Sequence, residues 1–241
     1  MVDFKEKLLR ILFPPKCISC DRILDINTPY PHICKKCESK IKISPKRICP
    51  ACLRPMDLNA YAPHCLYCAG AKVRFEYLIS PLVYDEVSSD IIKKYKYNSR
   101  TEIARSLALL MWERIKEYNL HTSFDVIIPA PSSKSRAFKL RTEHMLDLCK
   151  ELSRLSGVPC KELLFKKEGV KDQNSLGARE RKTNLKNNIV YQGGKYDKVL
   201  LVDDVYTTGA TVDESCKLLK RAGCTEIYVG IVAVNIHEEI E

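Results

Sequence analysis

Long apolar runs are missing from this chain. No stretch of its 241 residues approaches the roughly 18 consecutive apolar side chains that a membrane-crossing helix needs, so a helical span is excluded. A secretory signal is missing too, because Met1 to Phe13 carries too many charges and too short an apolar run. Within that segment Phe4, Leu8, Leu9 and Leu12 share one helical face, and a short helix docked on the domain is expected. The expected setting is the cytoplasm. Acidic residues are in deficit, 30 against 40 Lys and Arg, which leaves a net charge of +10. That surplus suits a polyanionic partner or a basic solvated surface.

Apolar material is scarcest in residues 17–68, which are rich in Pro and Lys and hold too little of it for a core. Cysteine stands in its place. Eight cysteines form four C-x-x-C pairs there, Cys17/Cys20, Cys34/Cys37, Cys49/Cys52 and Cys65/Cys68, while Cys149, Cys160, Cys216 and Cys224 are scattered among apolar neighbours. Without a secretion signal, knuckles at this spacing read as two tetrahedral Zn²⁺ sites rather than disulfides. Metal binding then supplies the folding free energy that the segment lacks. Sequential pairing puts Cys17, Cys20, Cys34 and Cys37 on one ion and Cys49, Cys52, Cys65 and Cys68 on the other, and spacing leaves an interleaved pairing open. His32 and His64 adjoin knuckles but read as bystanders. Each Cys₄ site carries two net negative charges, which lowers the surplus of +10 to about +6. Such ribbons serve either as a contact for nucleic acid or protein or as a bare folding staple.

The stretch around which the rest is organised is Val199-Leu200-Leu201-Val202-Asp203-Asp204-Val205-Tyr206-Thr207-Thr208-Gly209-Ala210-Thr211. Four apolar residues predict a buried parallel strand; a loop and a helix from Val212 should follow. Backbone N–H groups of Tyr206 to Ala210 at a helix start suit a phosphate. Thr207, Thr208 and Thr211 add hydroxyls, and Gly209 permits close backbone approach. Asp203 and Asp204 suit the vicinal hydroxyls of a ribose, with an indirect hold on Mg²⁺. Neither G-x-x-x-x-G-K-[ST] nor G-x-G-x-x-G occurs in the stretch.

Around it the chain alternates strands and helices. Phe75 to Tyr84 reads as a strand, and Asp90 opens a helix interrupted near Asn98-Ser99-Arg100. Lys93-Lys94-Tyr95-Lys96-Tyr97 interleaves basic and aromatic residues, a pattern for base stacking or pyrophosphate binding, or a solvated helix end. Phe124 to Ile128 reads as a strand that ends in Pro129-Ala130-Pro131-Ser132-Ser133-Lys134. Ligand sites in open α/β sheets lie at the carboxyl ends of strands, so Ser132, Ser133 and Lys134 should face the same crevice as Asp203. A helix from Arg141 with Cys149 on its apolar face should end at Gly157. A short strand over Leu163 to Phe165 follows, then Lys166 to Asn188, an irregular basic stretch that reads as a lid over an anion or as a surface excursion. Val212, Cys216, Leu219 and Ala222 line the last helix, Gly223 caps it, and Ile227 to Val234 is the last strand. The expected class is α/β, a mostly parallel sheet with helices on both faces, plus a small N-terminal double zinc ribbon. Residues 1–71 are assigned to the helix and ribbon, and residues 72–241 to the α/β domain.

The central stretch resembles the phosphoribosyl pyrophosphate (PRPP) signature of type I phosphoribosyltransferases. The chain as a whole resembles the ComF family, competence-associated proteins that join a zinc ribbon to a phosphoribosyltransferase-like domain. The likeness includes Leu12-Phe13-Pro14-Pro15, Lys96-Tyr97, Ile128-Pro129-Ala130-Pro131, and the spaced Gln173, Leu176, Arg181 and Asn184. It implies PRPP contacts at Asp203, Asp204, Val205, Tyr206, Thr207, Thr208, Gly209, Ala210, Thr211, Lys96, Ser132, Ser133 and Lys134, with Mg²⁺ accompanying the ligand. It also implies a role in natural transformation, handling single-stranded DNA as it enters the cytoplasm. One tract departs from the family: an R-G-F-N-Q-like run is replaced by Arg136-Ala-Phe-Lys-Leu-Arg141-Thr-Glu-His144-Met145, a change that bears on pyrophosphate contacts and transfer chemistry. Three function classes follow: a PRPP-binding, DNA-handling accessory protein; an active phosphoribosyltransferase with an unidentified acceptor; and a ribbon scaffold docking on a competence helicase.

Overall fold

The computed structural model describes residues 4–57, 64–68, 70–98, 101–120, 124–133, 136–167 and 188–236. Its centre is a sheet in which β1 (Tyr77–Ile79), β8 (Glu226–Val234), β7 (Lys198–Tyr206) and β3 (Val126–Pro129) are neighbours in that order, with β2 (Leu82–Val83) also on β8. Every pairing in it is parallel. A second, small sheet joins β4 (Ser132–Ser133), β5 (Leu164–Lys166) and β6 (Ile189–Tyr191), with β4 parallel and β6 antiparallel to β5.

Alternation along β7 sorts its side chains onto two faces. Leu200 and Val202 join one apolar cluster with α3 (Glu86–Asn98), α4 (Thr101–Glu117) and α5 (Arg136–Ser156). Val199 and Leu201 join the other with Val212, Cys216 and Leu219 of α6 (Ala210–Arg221). Helices thus cover both faces, as the near-continuous apolar strands require. Gly230 sits under α4 where a Cβ would meet Met111 Sδ at 3.0 Å, so the missing side chain lets the helix approach β8. Cys149 is buried on α5, as its spacing predicted. No helix among the described residues is long and apolar enough to cross a membrane.

Several expected boundaries move. Phe75 to Tyr84 is two short strands, broken at Ser80-Pro81, because proline cannot continue the ladder. The helix expected from Asp90 begins at Glu86: Ser88 N donates to Asp85 Oδ1 at 2.9 Å while Asp85 N donates to Ser88 Oγ at 2.8 Å, a reciprocal cap. The helix expected from Arg141 begins at Arg136, and it ends at Ser156 before Gly157 with φ of 75°. Ser132 and Ser133, expected in a loop, form β4, whose side chains lie outside the described residues, as does Lys134. Of the basic stretch, residues 168–187 also lie outside them.

The N-terminal helix α1 (Phe4–Leu12) is present but not docked by its apolar face, and a single turn, α2 (Lys35–Glu38), carries Cys37. Leu8, Leu9 and Leu12 are 50%, 57% and 64% exposed, while the side chain of Phe4 lies outside the described residues. Polar contacts hold α1 instead, through Arg10 Nη1 on the carbonyls of Ile26 at 3.1 Å and Thr28 at 3.4 Å.

Candidate functional site

Two knuckles in the ribbon repeat one geometry. Cys17 N donates to Arg22 O and Asp21 N to Cys17 O, and thirty-two residues on, Cys49 N donates to Arg54 O and Leu53 N to Cys49 O. Asp21 and Leu53 both take positive φ, 59° and 63°, which turns the chain back so that the cysteine pair points one way. The returning pair closes each site. Cys34 N donates to Cys17 Sγ at 3.4 Å and Cys65 N to Cys49 Sγ at 3.5 Å.

The cysteines gather as Cys17, Cys20, Cys34 and Cys37, and as Cys49, Cys52, Cys65 and Cys68, with the sulfurs of each group within 4.8 Å of one another. Sequential pairing is therefore found, and the interleaved one is not. A tetrahedral ion with Zn–S bonds of about 2.3 Å sets its sulfurs about 3.8 Å apart. Cys20 and Cys34 lie at 3.8 Å and Cys52 and Cys65 at 3.5 Å, so the donor sets fit zinc in chemistry and in spacing. Burial works against the Cys17 and Cys49 thiolates, yet surrounding backbone N–H groups outweigh it and bring each thiol to about 7. His32 and His64 stand outside both groups. His32 is buried, its ring stacked on Tyr30 at 3.9 Å.

The second site lies at the carboxyl end of β7. The strand does not stop at Val202 as expected. It continues to Tyr206, with Asp203 opposite Ile231 and Tyr206 opposite Val234 of β8. Asp203 is thus fixed in the ladder with Asp204 next to it in the same strand, and the turn proper is only Thr207 to Gly209. Gly209 is the N-cap of α6 with φ of 67° and has no side-chain cap, which leaves the helix start to water or ligand. A Cβ there would meet Tyr206 Oη, so the left-handed turn and the packed tyrosine both call for glycine. Thr207 and Thr208 are exposed, and Thr211 is half-buried in the first helical turn. Ala130 N donates to Val202 O at 2.7 Å, which brings the proline loop after β3 beside the carboxylates.

Around the carboxylates the charges are organised. Lys96 Nζ of α3 lies 2.5 Å from Asp204 Oδ2, and His144 Nε2 of α5 lies 3.6 Å from the same oxygen. Asp204 N donates to Asp203 Oδ1 at 2.9 Å. Burial pushes the Asp203 carboxyl up, the charge of Asp204 adds to this, and the group reaches about 7. Burial works against Asp204 as well, but His144 and Lys96 outweigh it and hold Asp204 at about 2. Of the pair, Asp204 therefore ionises first, and Asp203 is the carboxyl that exchanges its proton around neutral pH.

The run Lys93 to Tyr97 is divided by helix phase. Lys96 faces Asp204, whereas Lys94 Nζ pairs with Asp21 at 2.7 Å and Asp90 at 3.2 Å and also reaches Ser19 O, tying α3 to the first knuckle. Tyr95, 3% exposed, stacks no base. It lies edge-on to His144 at 5.4 Å and donates to the His144 carbonyl. The side chain of Tyr97 lies outside the described residues.

A family model described as a double zinc ribbon domain matches residues 8–69, and one described as a phosphoribosyl transferase domain matches residues 169–241. Over 222 residues the chain is 30% identical to Competence protein F of Haemophilus influenzae, covering 89% of this chain and 94% of that protein. The chain belongs to the ComF family. It is also 26% identical over 222 residues to Competence protein ComFC of Bacillus subtilis, covering 86% and 89% of the two chains. With DNA utilization protein YhgH of Escherichia coli (strain K12) it shares 30% over 207 residues, covering 82% and 88%. In this ComF chain the central carboxylates, Gly209 and Lys96 lie at one strand end. His144 joins them from the tract where the chain departs from the family. Its buried Nε2 stands 3.6 Å from Asp204 Oδ2, and its spacing from Leu148 by one helical turn was the only sequence signal for it.

Proposed function

We propose that this ComF chain binds PRPP or a related ribose phosphate at the β7–α6 turn and serves natural transformation in the cytoplasm by handling single-stranded DNA. The observation that carries the reading is a carboxylate pair locked in a strand five residues before an uncapped helix start whose N-cap is a left-handed glycine. The donors of Thr207 to Thr211 would take the 5-phosphate and the carboxylates the ribose diol. Mg²⁺ accompanying the ligand would neutralise its pyrophosphate, within reach of the acidic pair. Lys96, which pairs with Asp204, would turn to the pyrophosphate, and Ser132, Ser133 and Lys134, which follow β3 in the chain, are proposed as further contacts to it. In this reading residues 72–241 carry the ligand and residues 1–71 form the zinc-bound ribbon, which leaves a face for DNA or for a helicase partner. The DNA role rests on what the relatives are named for, together with the basic surplus of the chain.

Calorimetry on the full chain with PRPP and Mg²⁺ tests the ligand. We expect binding by the wild type and none by Asp203→Asn/Asp204→Asn, with circular dichroism unchanged. Absence of heat from well-folded wild type overturns the assignment. The phosphoribosyl transferase match over residues 169–241 supports transfer as a second reading, and pyrophosphate release from PRPP with a panel of bases in the same preparation decides it.

A further inference from the structure

A cleft of about 180 Å³ lies at the other end of the sheet, lined by Lys46, Arg47, Tyr77, Glu117 and Tyr118. Tyr77 opens β1 and pairs in register with Tyr228, which in turn neighbours Leu200 on β7. Tyr206 lies six residues further along β7, so the cleft and the turn after it are about 20 Å apart along the strands.

The cleft is built by the docking of the ribbon. Ser44 N donates to Pro81 O at 3.0 Å and Val83 N to Lys42 O at 2.9 Å, which clamps residues 42–44 along β2. Buried Arg114 donates to Ser44 O at 2.8 Å and to Glu117 Oε2 at 2.9 Å. Glu117, the one acid among the lining residues, is therefore matched by an internal cation, and Lys46 and Arg47 add two positive charges to the lining. The wall is aromatic: Tyr77 and Tyr118 meet edge to face at 5.9 Å, and Tyr77 lies parallel to Tyr228 at 6.1 Å. Tyr77 is 40% exposed and Lys46 is exposed, so both kinds of contact are open to solvent.

We propose that this cleft is a single-stranded nucleic-acid site, with one base against the tyrosines and the adjoining phosphates on Lys46 and Arg47. The proposal rests on the DNA-handling reading above and gives the strand a place apart from the sugar-phosphate turn. A flat π-face beside paired cations is what a flexible strand recognises without regard to sequence. The space matches one base rather than a base pair, and duplex DNA would keep its bases out of reach of Tyr77 and Tyr118. Separate sites also mean that strand and sugar phosphate bind together.

Fluorescence anisotropy with a labelled oligo-dT on the full zinc-loaded chain tests it. Tyr118→Leu should weaken binding roughly fivefold to a hundredfold, the range of one lost base stack. Lys46→Gln/Arg47→Gln should lower the slope of log K against log salt by about 1.4, two lost single-strand phosphate contacts. Lys150→Gln/Lys195→Gln, a charge-matched pair elsewhere, should leave both unchanged, and PRPP heat should persist in all variants. Photo-crosslinking of an iododeoxyuridine strand to wild type should mark Tyr77 or Tyr118, a readout that needs no variant to fold. Wild-type binding that survives the cleft substitutions, or that falls equally with the control pair, overturns the site and leaves the functional reading standing. Wild type that binds no oligonucleotide at low salt overturns both.

Discussion

Adjacent carboxylates on one buried strand end cannot both ionise cheaply, and here the neighbours decide which one does. Lys96 and His144 converge on Asp204, so its charge is kept and Asp203 carries the strain of burial. A folded value of about 7 against an ordinary 3.8 means that folding favours the protonated Asp203. Its contribution is fully present below pH 3.8 and is lost as pH rises through about 7. Asp204 works in the opposite sense, contributing above 3.8 and losing that contribution as pH falls toward about 2. Asp203→Asn should therefore gain on wild type in melting temperature as pH rises from 5 to 8, as calorimetric scans of both proteins across that range would show. Parallel pH profiles would mean that Asp203 is already ionised in the fold. The carboxylates and Gly209 were legible because one contiguous stretch supplies them. Which residue of the Lys93 to Tyr97 run faces the site was not, since helix phase against two different partners separates Lys94 from Lys96. His144 was hidden because its approach to Asp204 depends on how α5 crosses the sheet, which no local pattern encodes.

Elements that carry their own chemical signature were readable at the sequence level, and those that depend on neighbours were not. The knuckles declared themselves through cysteine spacing, and β7 and β8 through unbroken apolar runs of the kind a sheet covered on both faces requires. Of the small β4-β5-β6 sheet only β5 was readable, as a short strand over Leu163 to Phe165, because strands of two or three residues such as β4 and β6 are too short to show a period. The apolar stripe of α1 misled for a related reason: amphipathicity reports a capacity for burial, not the partner that supplies it. In the ribbon the two Cys₄ groups, each opened by the same positive-φ turn at Asp21 or Leu53, supply the main cross-links. Elemental analysis should find close to two zinc ions per chain. A strong chelator should release them, lower the melting temperature, and strip amide protection from residues 17–68 while β7 and β8 exchange slowly. Full protection of the ribbon after metal removal would show that packing alone holds it.

At the scale of the whole molecule, the ribbon closes the exposed edge of the central sheet. Ile18 of the first knuckle enters the apolar cluster on the α3–α5 face, while Ile48 and Leu53 of the second enter the cluster on the α6 face. Between them Ile43 bridges Leu82 in antiparallel register, so the module straddles the edge that β1 and β2 present. An uncovered parallel edge is a liability for aggregation, and here the zinc-stapled segment removes it. Arg114 is the polar pin of that junction, 5% exposed and bound to Ser44 O from α4. Arg114→Met keeps the apolar stem but leaves the Ser44 carbonyl without its cationic donor, a loss of about 1–3 kcal/mol. The half-exposed Glu117 partner adds little, since water screens it. Urea unfolding should therefore show a lower midpoint, followed by both a ribbon probe and a sheet probe. Coincident transitions for the two would mean that ribbon and sheet fold as one unit, whereas an unchanged midpoint in the variant would show that the ribbon rests on the sheet without being fastened there by Arg114.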